Sequence, residues 1–259
     1  MADFRETYGP WAVVVGASDG TGSAFADALG ARGVNVVLVA RRESMLEEVA
    51  SRLPVETRLL VLDLTAPGAV GRLAEATDDL DVGLVVYNAG ADANSAPMLD
   101  QPLEYLSGMV QRNCAAVLEA SYRFGERLVA RGRGGLILVT SGAAWVGGAT
   151  LATYGATKAF DLVLAEALWA EWRPKGVHSL ALVLGATDTP SLQRYLAEHG
   201  GDLGPLARAE EVVEEALDHL ADGPTWSPWM ADPQGGSPFG DMRRRDAVEL
   251  MTEAAARRR

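Results

Sequence analysis

One cysteine, Cys114, stands alone in the chain, so no internal disulfide can form and a reducing compartment is expected. Lysine is almost as scarce, with only Lys158 and Lys175. The net charge is −12, and no face is basic enough to neutralise phosphodiesters, which argues against nucleic-acid binding. Three histidines, His178, His199 and His219, are scattered without ligand spacing, so no metal site is expected. No apolar run approaches the ~20 residues needed to cross a bilayer. The opening MADFRETYGPW lacks the basic-then-apolar order of a signal peptide, so a cytoplasmic location is expected. Repeats and low-complexity segments are also missing.

What the chain has in quantity is apolar sequence in short runs. Its 259 residues are 48% hydrophobic, enough for the core of one α/β domain. The runs predict strands at Trp11 to Val15, Asn35 to Ala40, about Arg58 to Leu62, Val82 to Tyr87, the LILVTS run ending at Ser141, His178 to Leu184 and Thr225 to Met230. Between them lie helical stretches, among them Ser23 to about Arg32, Leu103 to about Val129, Tyr154 to Arg173 and Glu210 to Leu220. Alternation of this kind predicts a single-domain, doubly wound parallel sheet of about seven strands with helices on both faces. The domain is expected over 1–231, followed by a loop and helical tail over 232–259. Within the domain, 187–208 is polar, bears Gly and Pro around a short helix (Ser191 to Glu198), and suits a lid.

The first strand runs straight into Gly16-Ala-Ser-Asp-Gly20-Thr-Gly22 and then a helix. Glycines let a backbone approach a pyrophosphate closely, and the helix N-terminus offers free N–H groups and a positive dipole end. The second strand ends in Ala40-Arg41-Arg42, with no carboxylate before Glu43. A carboxylate there would accept from the ribose hydroxyls of NAD; a guanidinium instead pairs with a 2′-phosphate. NADP(H) is therefore expected over NAD(H), with Arg41 favoured. The plainer reading leaves both arginines on the solvent side of the next helix, and Asp19 in the glycine turn weighs against added negative charge. Asp63-Leu64 follows the third strand, where Asp63 either accepts from an adenine amino group or caps the helix beginning near Pro67. The fourth strand ends in Asn88-Ala89-Gly90, a small turn against which a ribose can lie.

Tyr154 and Lys158, four residues apart, share one helical face, and Ser141 precedes the tyrosine by thirteen residues. A phenol has an ordinary pKa of about 10, and an adjacent ammonium stabilises its anion. That suits the trio to proton transfer, while the plainer reading is a helix with a packed Tyr154 and a solvated Lys158.

With these motifs in order, the chain resembles the short-chain dehydrogenase/reductase family from about Trp11 to Met230. The family's TGxxxGxG turn is matched by Val15-Gly16-xxx-Gly20-x-Gly22, its NNAG by Tyr87-Asn88-Ala89-Gly90, and its PGxxxT by Leu184-Gly185-xxx-Thr189. Val15, Tyr87 and Leu184 are the departures. The family's catalytic Asn, Ser, Tyr and Lys fall on Asn113, Ser141, Tyr154 and Lys158. The TSGAAW and YGATKAF wording is similar to the NADP(H)-preferring reductase branch.

The resemblance implies hydride transfer between NADP(H) and a carbonyl or secondary alcohol. Tyr154 would be the general acid/base, Ser141 would hold the reacting oxygen, Lys158 would grip the nicotinamide ribose, and Asn113 would anchor a water leading to solvent. Cofactor contacts are implied for Gly16, Ser18, Gly20, Thr21 and Gly22, and for Arg41, Arg42, Asp63 and Leu64. Asn88, Ala89, Gly90, Tyr154, Lys158, Gly185, Thr187 and Thr189 complete the set. Candidate substrate contacts are Ala143, Trp145 and Val146, Asp92 and Asn94, and Leu192 and Tyr195 on the lid, with simple loop packing an equal alternative for each. Their apolar character suits a hydrophobic ketone or alcohol: steroid-like, terpenoid or oxoacyl. A homodimer or homotetramer through the helices bearing Asn113 and Tyr154 is implied too. The alternatives are a cofactor-binding scaffold or sensor that has lost catalysis, and an extended-family epimerase, for which too little chain follows the last strand.

Overall fold

A computed structural model describes residues 4–92, 94–200 and 203–256. Residues 201–202 of the expected lid and the last three of the expected tail lie outside the described residues.

Seven strands form one sheet in the order β3-β2-β1-β4-β5-β6-β9, all parallel. They are β1 (Trp11–Val15), β2 (Asn35–Ala40), β3 (Thr57–Val61), β4 (Val82–Tyr87), β5 (Gly134–Ser141), β6 (Val177–Leu184) and β9 (Thr225–Trp226). The central strands are continuous Val/Leu runs because helices cover both faces, the arrangement a parallel sheet demands. On one face α2 (Gly20–Ala31), α3 (Glu43–Arg52) and α9 (Ala209–Asp218) bury Phe25, Leu29, Leu46 and Val213 against Val14, Leu38 and Leu84. On the other, α4 (Ala69–Glu75), α6 (Ala116–Arg131) and α7 (Ala152–Trp172) bury Leu73, Phe124, Leu162 and Trp172 against Val13, Val85 and Leu138.

Strand order reverses between β1 and β4, and that reversal opens a crevice beyond their carboxyl ends. Register brings Val15 beside Tyr87, so Gly16 and Asn88 emerge together. The backbone N–H groups of Asn88 and Ala89 both donate to the Val15 carbonyl at 2.9 Å.

Several elements differ from the sequence reading. A short helix, α1 (Phe4–Tyr8), precedes the sheet. The stretch expected as one helix from Leu103 is α5 (Leu103–Val110), a π-helical turn over Gln111–Ala115, and α6. The last strand is two residues long, since Pro228 and the turn closed by Met230 N–H on Ser227 O end it. Inside the lid, β7 (Thr187–Asp188) pairs with β8 (Ala207–Arg208) on either side of α8 (Pro190–His199). The tail helix α10 (Arg244–Ala256) docks on the loop after Ser141, where Arg244 donates to Trp145 O at 3.0 Å and Thr252 Oγ1 accepts from Ala149 N–H at 3.1 Å. Ala247 is buried, while Val248 stays 39% exposed. Among the described residues no helix is long and apolar enough to cross a membrane, and no His, Cys, Asp and Glu group can hold a metal.

Candidate active site

The glycine turn is shaped by what presses on it. Gly16 has φ +85°, and a Cβ there would lie 2.8 Å from Ala89 N. A Cβ on Gly22 would lie 2.0 Å from Gly16 O, so α2 can start this close to β1 only with glycine. Asn88 stitches the two segments together. Its Oδ1 accepts from Thr21 Oγ1 at 2.7 Å, and its Nδ2 donates to Gly16 O at 3.2 Å. Asp19 caps α2 by accepting from Gly20 N–H at 2.9 Å. Its other oxygen meets Arg194 of α8 at 3.1 Å and Arg42 at 3.8 Å, so the lid is tied across the turn by a shared carboxylate.

Beyond the carboxyl ends of the strands two adjoining cavities form the two ends of a cleft. One end is walled by Ser18, Arg41, Arg42, Asp63, Leu64, Arg112 and Arg194. The other is walled by Ser141, Tyr154, Lys158, Gly185, Thr187 and Thr189, and both ends share Asp19, Asn88, Gly90, Ala91 and Ser191. The expected proton-transfer residues and most of the expected dinucleotide contacts therefore line two adjoining cavities with a common wall. Asp63 does not cap α4, whose N-cap is Gly68. Instead Asp63 accepts from Thr65 N–H at 2.9 Å and Thr65 Oγ1 at 2.7 Å, and these bonds hold its carboxyl below the ordinary carboxylate range.

Asn113 projects from the π-helical turn and is fully buried. Its Nδ2 donates to Thr157 Oγ1 at 3.0 Å and Gly90 O at 3.3 Å, and its Oδ1 accepts from Arg112 Nε at 3.1 Å. The wider turn thus ties α7 to the Asn88–Gly90 loop, a position in which π-bulges recur. Ser141 Oγ accepts from Ala143 N–H at 3.3 Å, which leaves its hydroxyl proton to point elsewhere. Gly155 lets α7 approach Ala143 O, where a Cβ would come to 3.0 Å. Lys158 is 3% exposed; its Nζ donates to Val139 O at 2.9 Å and pairs with Asp161 at 3.0 Å. Burial pushes the Cys114 thiol up to about 11, away from the reactive thiolate form.

The expected substrate residues divide. Tyr195 and Leu192 line the catalytic end of the cleft together with Asp92. Ala143 and Val146 are buried, and Ala143 packs on Tyr154 from behind. Trp145 is partly buried and packs against the core. Leu151, Ser95 and Leu203, outside the expected set, line that end as well. Arg112, Arg194, Leu151 and Asp161 are site residues that sequence reasoning missed. Only Arg112, adjacent to Asn113, carried a positional hint.

A family model for short chain dehydrogenase matches residues 10–200. The chain belongs to the short-chain dehydrogenase family. It is 33% identical over 225 residues to a 7beta-hydroxysteroid dehydrogenase of Mediterraneibacter gnavus, covering 83% of this chain and 84% of the relative. A structure from a study of 7beta-hydroxysteroid dehydrogenase stereoselectivity superposes with TM-score 0.84 at 30% identity, covering 96% of this chain and 99% of that one. A short-chain dehydrogenase from Sphingobium yanoikuyae in complex with NADPH superposes at TM-score 0.76 and 28% identity, over 93% and 92% of the two chains. As a member of this family the chain is an oxidoreductase of nicotinamide-dependent type.

Proposed function

We propose that this short-chain dehydrogenase interconverts a ketone and a secondary alcohol on a bulky, hydrophobic, steroid-like skeleton, with NADP(H) as cofactor. The observation that carries the reading is the shared cleft, in which Ser141, Tyr154 and Lys158 face the same space as the glycine turn and Asn88–Gly90. Arg41 and Arg42 stand at its far end, where their charge suits a 2′-phosphate, and no carboxylate stands at the end of β2 to meet a free 2′-hydroxyl. Thr187, Thr189 and Gly185 flank the reacting end and would hold the nicotinamide. When bound, the nicotinamide supplies or accepts the hydride.

The protein's own groups manage the proton. Ser141 donates to the substrate oxygen, since its acceptor side is engaged by Ala143 N–H. Tyr154 gives that oxygen its proton in reduction and takes one in oxidation, a contribution of about 10²–10⁴ in rate. Lys158 sets a positive charge beside the phenol from a site with almost no water contact. Asn113 locks Gly90 to α7, and the remaining lone pair of its Oδ1 is the acceptor for a water leading to solvent. Leu151, Leu184, Leu192 and Tyr195 give the cleft apolar walls for the skeleton. The relatives' named activity toward hydroxysteroids supports that substrate class. An intact set of four catalytic residues weighs against the inactive-scaffold reading.

Apolar side chains left exposed on α6 (Leu118 53%, Tyr122 66%) and α7 (Val163 61%) support a homo-oligomer through these helices. The test of function is a panel of steroid, terpenoid and oxoacyl ketones assayed with NADPH and NADH side by side. Turnover of steroid ketones with NADPH is expected; an NADH preference would refute the role given to Arg41.

A further inference from the structure

One turn along α7 from Lys158, the helix buries a second charge that the four expected catalytic residues do not include. Asp161 Oδ2 lies 3.0 Å from Lys158 Nζ, and the two side chains are 3% and 4% exposed respectively. A carboxylate at that depth is costly unless it is paired. Its other oxygen, Oδ1, has no hydrogen-bond partner among the described residues, so Lys158 is its only polar support. Burial pushes the Asp161 carboxyl above the ordinary carboxylate range, against the pull of the Lys158 ammonium. An ammonium has three donors. Asp161 and Val139 O take two of them, which leaves the third for the cleft that Lys158 lines.

The other titratable groups that face this pair are Tyr87 on β4 and Cys114 on the π-helical turn, while Tyr154, four residues before Lys158 on α7, lines the same cleft as the ammonium. Tyr87 donates to Arg112 O and is held far into its protonated form by burial, and the Cys114 thiol is pushed up to about 11. Near neutrality Asp161 is therefore the counter-charge in direct contact with Lys158.

We propose that Asp161 is a positioning residue for proton transfer, anchoring the Lys158 ammonium and compensating its charge beside Tyr154. This rests on the roles given to Tyr154 and Lys158 above. Loss of a nearby carboxylate lowers the proton affinity of every group around it. Ketone reduction needs Tyr154 protonated and Lys158 charged, so both effects move the alkaline limb of the rate profile the same way, to lower pH.

The experiment compares wild type, Asp161→Asn, Asp161→Ser and Asp161→Glu in NADPH-dependent ketone reduction across pH, with circular dichroism and unfolding temperature recorded for each. In Asp161→Asn the alkaline limb is expected to fall by about one pH unit or more. At pH values above the limb kcat is expected to drop about tenfold, the rate equivalent of one such unit, with KM for the ketone unchanged. Asp161→Ser, which leaves room for water beside Lys158, carries the same expectation if the amide variant does not fold. Asp161→Glu restores the charge and is expected to return the limb to its wild-type position. A limb that stays in place in Asp161→Asn or Asp161→Ser, with rate loss tracking the folded fraction, overturns the inference while leaving the enzyme assignment standing. A wild-type chain that turns over no ketone with either cofactor overturns the assignment, and the inference with it.

Discussion

Replacing Gly22 by alanine measures how tightly the cofactor turn is built. In isolation the change favours the α-helix by about 0.8–1.0 kcal/mol, because alanine loses less backbone freedom than glycine. The surroundings decide otherwise. The added Cβ would stand 2.0 Å from Gly16 O and 2.6 Å from Asn88 Nδ2, both far inside van der Waals contact. Neither obstacle can swing aside, since Gly16 N–H is bonded to Val39 O at 2.7 Å and Asn88 is held by Thr21 and Gly16. Overpacking of this kind costs about 3 kcal/mol at the upper end of its usual range. After the helix gain the net loss is about 2 kcal/mol, or roughly 4–8 °C in unfolding temperature for a chain of this size. The same displacement moves the turn that receives the pyrophosphate, so NADPH affinity should fall about tenfold or more. Thermal unfolding and NADPH fluorescence titration read both effects. Gly147→Ala is the control: nothing lies within 4 Å of its added Cβ, and it should stay within about 0.5 kcal/mol of wild type. A Gly22→Ala protein as stable as wild type, with unchanged NADPH affinity, would refute the reasoning.

Two further outcomes follow from the ionisation of Arg41 and His178. Arg41→Ala should reduce the preference for NADPH over NADH by roughly 10- to 100-fold, the worth of one charge-assisted hydrogen bond, with NADH kinetics unchanged. Steady-state kinetics with both cofactors check it. His178 is partly buried, its Nδ1 lies 2.6 Å from Tyr8 Oη, and burial pulls its pKa below the ordinary histidine value. The unfolded chain therefore binds the extra proton first, so the stability due to neutral His178 is present above about pH 6.5 and is lost as pH falls below it. His178→Gln should flatten that part of the unfolding-temperature profile, and an unchanged slope would contradict it.

The sheet was legible because its strands are short, continuous apolar runs that stop at Gly16, Arg41, Asn88 and Gly185, and a strand buried on both faces has no other way to be written. The cofactor turn and the Ser141, Tyr154, Lys158 trio were legible for a related reason: glycines and a phenol–ammonium pair carry their chemistry in local spacing. Asp161 was not. Three residues from Lys158, it reads as half of a solvated helix pair, and only the packing of α7 on β5 and β6 turns it into a buried charge. Trp145 misled in the opposite sense, since a large aromatic after Ser141 looks like a pocket wall, whereas the tertiary packing lays it partly buried against the core and Leu151 lines the cleft. The β7–β8 pair and the π-helical turn at Asn113 depend on partners about twenty or more residues away, which periodicity does not register.

The central claim is that Tyr154 moves the proton in a cleft that holds a nicotinamide cofactor. Comparing Tyr154→Phe with wild type, by NADPH binding and by turnover of the most active ketone of the panel, tests it most directly. Unchanged NADPH affinity with turnover reduced by at least about 10²-fold is predicted. Near-wild-type turnover in that variant would contradict the account.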